Sequence, residues 1–408
     1  MNNFLYRAAA LALIAGLVTA CGGGSTSTPT ATPTPTFGNV ISVTVDAGPA
    51  DTGYNVNRLY ASVKICLPGS SMQCQTIDHV LVDTGSTGLR LLASVLSPAL
   101  KLDRLTGTGG FPLLNCAQFV DNTFAWGPVV SADIVLGDKT AAGVPIQIIS
   151  DPAFNSPAAA CAVGGTAYTT SALLGANGIL GLGSNKEDCG AACTATTHNG
   201  SYYTCTSASC TDTIGAKATV AQQLKNPVPL FATDNNGVLI DLPAVSLTGA
   251  ASLSGSLIFG IGTKANNQTN TALALSANSL GYVTTVFGGQ SLTNSFFDTG
   301  SNGLFFDSAA IPGCPASSGA GFYCPSSLTP LSATLVGANA ARIAVSFSID
   351  NAKALFSGAN NTVLPTLAGP MSDASSFDWG LPFFYGRRVF IGIDGQSSAL
   401  GTGPYYAF

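Results

Sequence analysis

Apolar residues fall in short runs bounded by Gly, Ser, Thr and Asn, among them Val80-Leu81-Val82 and Ile134-Val135-Leu136. β-Branched and aromatic residues dominate these runs, which favours strands. One run is different. Ala8 to Ala20 is almost wholly apolar, follows Arg7, and ends in Leu17-Val18-Thr19-Ala20-Cys21. It is shorter than the roughly 20 residues needed to span a bilayer, so it reads as a signal peptide over residues 1–20. After Ala20, Gly, Ser, Thr and Asn interrupt every further candidate for a membrane-spanning run. The pattern predicts a β-rich protein with uncharged polar loops.

The segment from Cys21 to Gly38 is rich in Gly, Ser, Thr and Pro. It cannot bury enough apolar surface to order itself, and its Thr-Pro steps favour extended chain, so it reads as a tether. About 370 residues remain, enough for two lobes. Only 9% of the chain is charged, with 15 Lys+Arg and a formal net charge of −5. That excludes the basic face nucleic acid requires. Setting Cys21 aside, the cysteines are even in number, which in an exported chain favours disulfides. Proximity suggests Cys66–Cys74, Cys314–Cys324 and pairings among Cys189, Cys193, Cys205 and Cys210. The two histidines, His79 and His198, come with no paired Cys-x-x-Cys motifs, so no zinc site is expected.

The strongest signal is an internal repeat. Val80-Leu81-Val82 runs into Asp83-Thr84-Gly85-Ser86-Thr87-Gly88-Leu89, and Ser295-Phe296-Phe297 runs into Asp298-Thr299-Gly300-Ser301-Asn302-Gly303-Leu304. An apolar strand leaves each loop. A third triplet, Asp51-Thr52-Gly53, has no flanking apolar strand and reads as a turn. The repeat continues downstream with Gly178-Ile179-Leu180-Gly181 after the first loop and Asp378-Trp379-Gly380 after the second. Two units in the same order suggest duplicated lobes related by a pseudo-two-fold axis.

These residues resemble the two active-site loops of the pepsin-like aspartic proteases, and the resemblance spans roughly residues 55–400. It implies an all-β, two-lobed, barrel-like fold, with an N-terminal lobe over 39–265 and a C-terminal lobe over 266–408. It also implies endopeptidase chemistry. Asp83 and Asp298 would share one proton, activate a water and protonate the scissile carbonyl, with no cofactor or metal. Proton sharing of this kind is the behaviour of the pepsin dyad itself. Thr84 and Thr299 would cross-bond beneath the dyad, Gly85 and Gly300 would offer amides, and Ser86 and Ser301 would bond the outer carboxylate oxygens.

The chain departs from the family in places. The expected cleft-covering hairpin, Phe119 to Pro128, contains no tyrosine, leaving Phe124 or Trp126 either to cover substrate or simply to pack. Arg90 replaces the family tryptophan after the first motif; it reads as a partner for an acidic substrate side chain, a solvated rim charge, or a residue packed on Trp126. Asp378-Trp379 replaces an aliphatic pair, which leaves the alignment there open by one residue. The insert from Cys189 to Cys210 reads as a disulfide-stapled surface loop. Leu-Val-Thr-Ala-Cys resembles a bacterial lipobox, which would make Cys21 the lipidated N-terminus of a monomeric cell-envelope protein, with the outer membrane favoured. The expected partners are a peptide or protein substrate and, through Cys21, a membrane. The competing expectation is a non-catalytic peptide- or protein-binding lipoprotein on the same fold.

Overall fold

The structure, a computed structural model, describes residues 38–163, 165–207, 210–316, 319–358 and 360–408. The signal run, Cys21 and the tether up to Phe37 lie outside them. The first half forms β1 (Val40–Val45), β2 (Leu59–Cys66), β3 (Cys74–Asp83), β4 (Thr87–Leu92), β5 (Leu113–Gln118), β6 (Thr123–Leu136) and β7 (Lys139–Ile149). Shorter strands come next: β8 (Thr166–Ala167), β9 (Gly178–Leu182), β10 (Tyr202–Cys205) and β11 (Thr213–Gly215). The middle of the chain supplies β12 (Gly237–Asp241), β13 (Leu253–Phe259) and β14 (Ala274–Ser276). The second half adds β15 (Val283–Phe287), β16 (Gln290–Asp298), β17 (Leu304–Phe306), β18 (Thr329–Val336), β19 (Arg342–Ile349), β20 (Ala368–Gly369), β21 (Phe377–Gly380), β22 (Arg388–Gly392) and a last strand, Tyr405–Ala407.

These strands make two large sheets. One has 16 strands and runs from β11 through the first half to β1, then across β13, β12, β22 and the last strand to β14. The other has seven strands, ordered β19-β18-β15-β16-β21-β17-β20. The segment expected near the lobe junction, Gly255 to Phe259, lies in β13, which pairs with β1 on one side and β12 on the other. Because β22 and the last strand extend this same sheet, the two halves of the chain are stitched through backbone hydrogen bonds.

Central strands such as β4 and β9 are buried along their whole length. Val63, Ile134 and Leu180 from the first half share one continuous core with Phe297, Phe377 and Trp379 from the second. The second-half core is aromatic, with Phe377 stacked between Phe306 and Trp379 at 4.7 and 4.0 Å. Such rings bury large areas and fix one another's geometry. A polar clamp also joins the halves. Fully buried Asn57 donates from Nδ2 to the carbonyls of Asn302 and Leu364, each at 2.8 Å. Its Oδ1 accepts from the Leu364 amide and the Tyr385 hydroxyl, at 2.7 and 2.8 Å. All four bonds reach into the second half, so a buried polar side chain is satisfied only when the halves are docked.

Among the described residues there are five disulfides. Cys66–Cys74 and Cys314–Cys324 pair as proximity suggested, and the insert contains Cys189–Cys193 and Cys205–Cys210. Cys116–Cys161 ties β5 to the loop after β7. The insert is more than a stapled surface loop: its β10 pairs with β5, which belongs to the hairpin over the cleft.

Candidate active site

Strands β3 and β16 end on Asp83 and Asp298, and the two carboxyls have equivalent strand neighbours. β3 pairs in parallel with β9, setting Asp83 beside Gly181; β16 pairs in parallel with β21, setting Asp298 beside Gly380. The partner strand then pairs antiparallel with the strand leaving the loop, with Ile179 opposite Arg90 in one lobe and Asp378 opposite Phe305 in the other. The register therefore matches position for position, and the one-residue offset left open at Asp378-Trp379 does not exist. Glycine is required at the aligned positions: a Cβ at Gly380 would lie 2.0 Å from the Gly303 carbonyl oxygen. Only a residue without a side chain lets the strand pass so close to the loop.

The loops meet tip to tip. The Thr84 hydroxyl donates to the Phe297 carbonyl at 3.0 Å and accepts from the Thr299 amide at 3.0 Å. The Thr299 hydroxyl donates to the Val82 carbonyl at 2.7 Å and accepts from the Thr84 amide at 3.2 Å. Each buried hydroxyl thus uses both its donor and an acceptor site across the lobe boundary. Above them, the Gly85 amide donates to Asp83 Oδ1 at 2.8 Å and to Asp298 Oδ1 at 3.1 Å. The inner oxygens of both carboxyls therefore converge on one N–H. The Gly300 amide donates to Asp298 Oδ1 at 2.7 Å. Ser86 donates to Asp83 Oδ2 at 2.5 Å, and Ser301 to Asp298 Oδ2 at 2.8 Å. Thr84, Gly85, Ser86, Thr299, Gly300 and Ser301 thus all bond at or beneath the two carboxyls.

Burial pushes the Asp298 carboxyl well above the usual carboxylate range, and the neighbouring Asp83 charge raises it further. Like charges this close favour one shared proton over two ionised groups. Asp378 adds a third acid. Its carboxyl is buried and likewise pushed well up, first by burial and also by the Asp83 charge, with the Ser301 hydroxyl pulling the other way. The sequence showed an aspartate at this position without showing that it faces the cleft.

The dyad lies in a cleft of about 790 Å³. The β5–β6 hairpin covers it with its tip, Phe119, Val120 and Asp121. Phe124 and Trp126, expected either to cover substrate or to pack, do not line it. They point the other way, into a satellite core with Cys116–Cys161, Phe154 and Tyr203. Trp126 donates to the Phe154 carbonyl at 2.9 Å and meets Tyr203 edge-on at 5.3 Å. The reason is the insert: β10 adds a strand beside β5 and brings Tyr203 against Trp126. A tyrosine does reach the hairpin tip, from outside the hairpin. The Tyr168 amide bonds to the Phe124 carbonyl at 2.9 Å, its ring packs 5.6 Å from Phe119, and its hydroxyl donates to Asp121 at 3.4 Å. The missed signal was the short Thr166-Ala167-Tyr168 segment, whose strand β8 pairs in parallel with β6.

Arg90 is neither a rim charge nor packed on Trp126. It is buried on the cleft wall and faces Asp188 at 3.5 Å, with Nη1 donating to the Thr87 carbonyl at 2.7 Å. Asp188 also accepts from Tyr202 at 2.7 Å and Asn115 at 3.1 Å. Burial raises the Asp188 carboxyl pKa, and the Arg90 charge draws it back.

Fold and site together define a class: a nearly all-β, pepsin-like fold with one aspartate presented by each half of the chain. Over residues 35–408 the sequence matches the family described as "Protein of unknown function (DUF3443)", and the chain belongs to that family. A comparison with curated proteins gives no match. Among solved structures, the aspartic proteinase from Irpex lacteus is similar with a TM-score of 0.47 and 13% identity, over 90% of this chain and 96% of that one.

Proposed function

We propose that this protein is an aspartic-type endopeptidase that hydrolyses peptide bonds in the cleft between its lobes. The observation that carries the reading is the convergence of the Asp83 and Asp298 inner oxygens on the single Gly85 amide. In this reading the ionised member of the pair takes a proton from a water, and the protonated member donates to the scissile carbonyl. The titration belongs to the pair, so neither role is fixed to one residue. The Gly85, Gly300, Ser86 and Ser301 donors hold both carboxyls still while the proton moves.

A pepstatin-type statine peptide places a hydroxyl where the attacking water would sit. The expected result is tight binding at acidic pH, read by calorimetry, with affinity lost in Asp83→Ala. Indifference of the parent protein to statines, together with peptide cleavage that persists in Asp83→Ala, would sink the reading. One observation favours the alternative, a non-catalytic peptide binder: Asp378 adds a further protonatable group beside the dyad, which changes the proton count the two-carboxyl chemistry relies on.

A further inference from the structure

The two lobes line the cleft with equivalent trios. In the first, Leu81, Ile179 and Arg90 stand side by side across β3, β9 and β4. In the second, Phe296, Asp378 and Phe305 stand side by side across β16, β21 and β17. Paired residues on neighbouring strands share a face, and all six line the cleft. The alternate residues Phe297, Trp379 and Leu304 turn into the core.

Each trio carries one ionisable residue, and the two are treated differently. Arg90 is answered within the chain by Asp188. Among the described residues Asp378 has no ion-pair partner, and its buried Oδ1 accepts no hydrogen bond. Leaving a polar atom buried and unpaired costs free energy that an aliphatic side chain would not. Ile179 stands at the equivalent place in the other lobe, so an aliphatic residue fits the strand geometry. The walls beside Asp378 are aromatic: Phe296 and Phe305 flank it, and Tyr282 packs 6.1 Å from Phe296. Aromatic faces attract cations. Arg58 and Arg90 are the sole basic residues among the described ones that line the cleft, against Asp83, Asp121, Asp188, Asp298 and Asp378. Among the described residues, no three acidic, histidine or cysteine side chains converge as metal ligands, so the complementary cation is organic.

We propose that Asp378 is the floor of a subsite on the Asp298 side of the cleft that binds a cationic side chain, lysine or arginine, of the substrate. The word substrate rests on the protease reading; the subsite does not. The ammonium or guanidinium group bonds to the unpartnered Oδ1 of Asp378, and its alkyl stem lies along Phe296 and Phe305.

The experiment has two arms. In the first, pentylammonium and pentanol are titrated separately into the disulfide-bonded protein, into Asp378→Ile, which copies the other lobe, and into Asp378→Asn, which keeps the shape. NMR reads the binding. The expected result, near neutral pH, is at least about tenfold tighter binding of the amine than the alcohol in the parent, because the bound cation favours the ionised form of Asp378; the preference fades as the pH falls and Asp378 is protonated, and it is lost in both variants. In the second arm, a diverse peptide mixture is digested and the cleavage sites are read by mass spectrometry. Lysine or arginine should be enriched at one position on one side of the cut, with kcat/KM for those peptides falling by about a hundredfold in Asp378→Ile. Equal binding of amine and alcohol overturns the subsite. So does cleavage without basic preference, and in that case the protease reading survives. Amine binding lost in both variants, with no peptide cut by any protein, upholds the subsite and overturns the protease reading.

Discussion

At Asp298 and Asp378, burial raises the pKa of two carboxyls, and this has a consequence for stability. An unperturbed aspartate titrates near pH 4, to about a unit. Below that, both groups are protonated in the folded and the unfolded chain alike. As pH rises, the unfolded chain ionises first, because both folded-state pKa values are raised. The folded chain then holds more protons, so the stability these groups contribute is present at low pH and is lost as pH climbs through their folded values. Asp378→Asn removes one titrating group and keeps its shape. Relative to the parent, the variant should therefore gain stability between pH 4 and pH 7, by about 1.4 kcal/mol for each unit by which the Asp378 pKa is raised. Urea unfolding at both ends of that range checks it. A difference between variant and parent that does not change with pH would mean that Asp378 titrates alike in the folded and unfolded chains, and would contradict the raised pKa.

At the scale of elements, the hairpin, the insert and the first-lobe cleft wall act as one unit. β10 pairs with β5, while Tyr202 of the insert and Asn115 of β5 both bond to Asp188, which faces Arg90. Removing one member of a buried ion pair leaves an uncompensated charge, whereas replacing both with apolar residues is often neutral. Asp188→Ala should cost about 3–5 kcal/mol in denaturant unfolding, and Arg90→Leu combined with Asp188→Leu much less. A cost below about 1 kcal/mol for Asp188→Ala would mean that the pair is solvated like a surface one. The paired loops are legible in the sequence because strand-loop-strand patterning and glycine at the turn are local properties. The settings of Arg90, Tyr168 and Asp378 are not. Charged residues are seldom buried unless paired, and the partner of Arg90 lies far along the chain, at the edge of an insert. Tyr168 reaches the hairpin through a two-residue strand too short to stand out by composition. Asp378 is placed only by strand pairing, which sets it opposite Phe305. Phe124 and Trp126 lie on the expected hairpin but on its other face, because the sequence does not show that the insert covers that side.

Across the whole molecule, the halves are held by shared backbone sheet, by the Asn57 clamp and by the exchange of threonine hydroxyls under the dyad. Only with the halves docked do the two carboxyls meet at one amide. The central claim is that this meeting makes a peptidase. Its most direct test is digestion of a diverse peptide mixture from acidic to neutral pH by residues 38–408 produced in an oxidising compartment, beside Asp83→Ala and Asp298→Ala. The expected result is cleavage by the parent, strongest at acidic pH and unaffected by chelators, and none by either variant with folding intact. A folded parent that cuts nothing at any pH, or a variant that cuts as well as the parent, would contradict it.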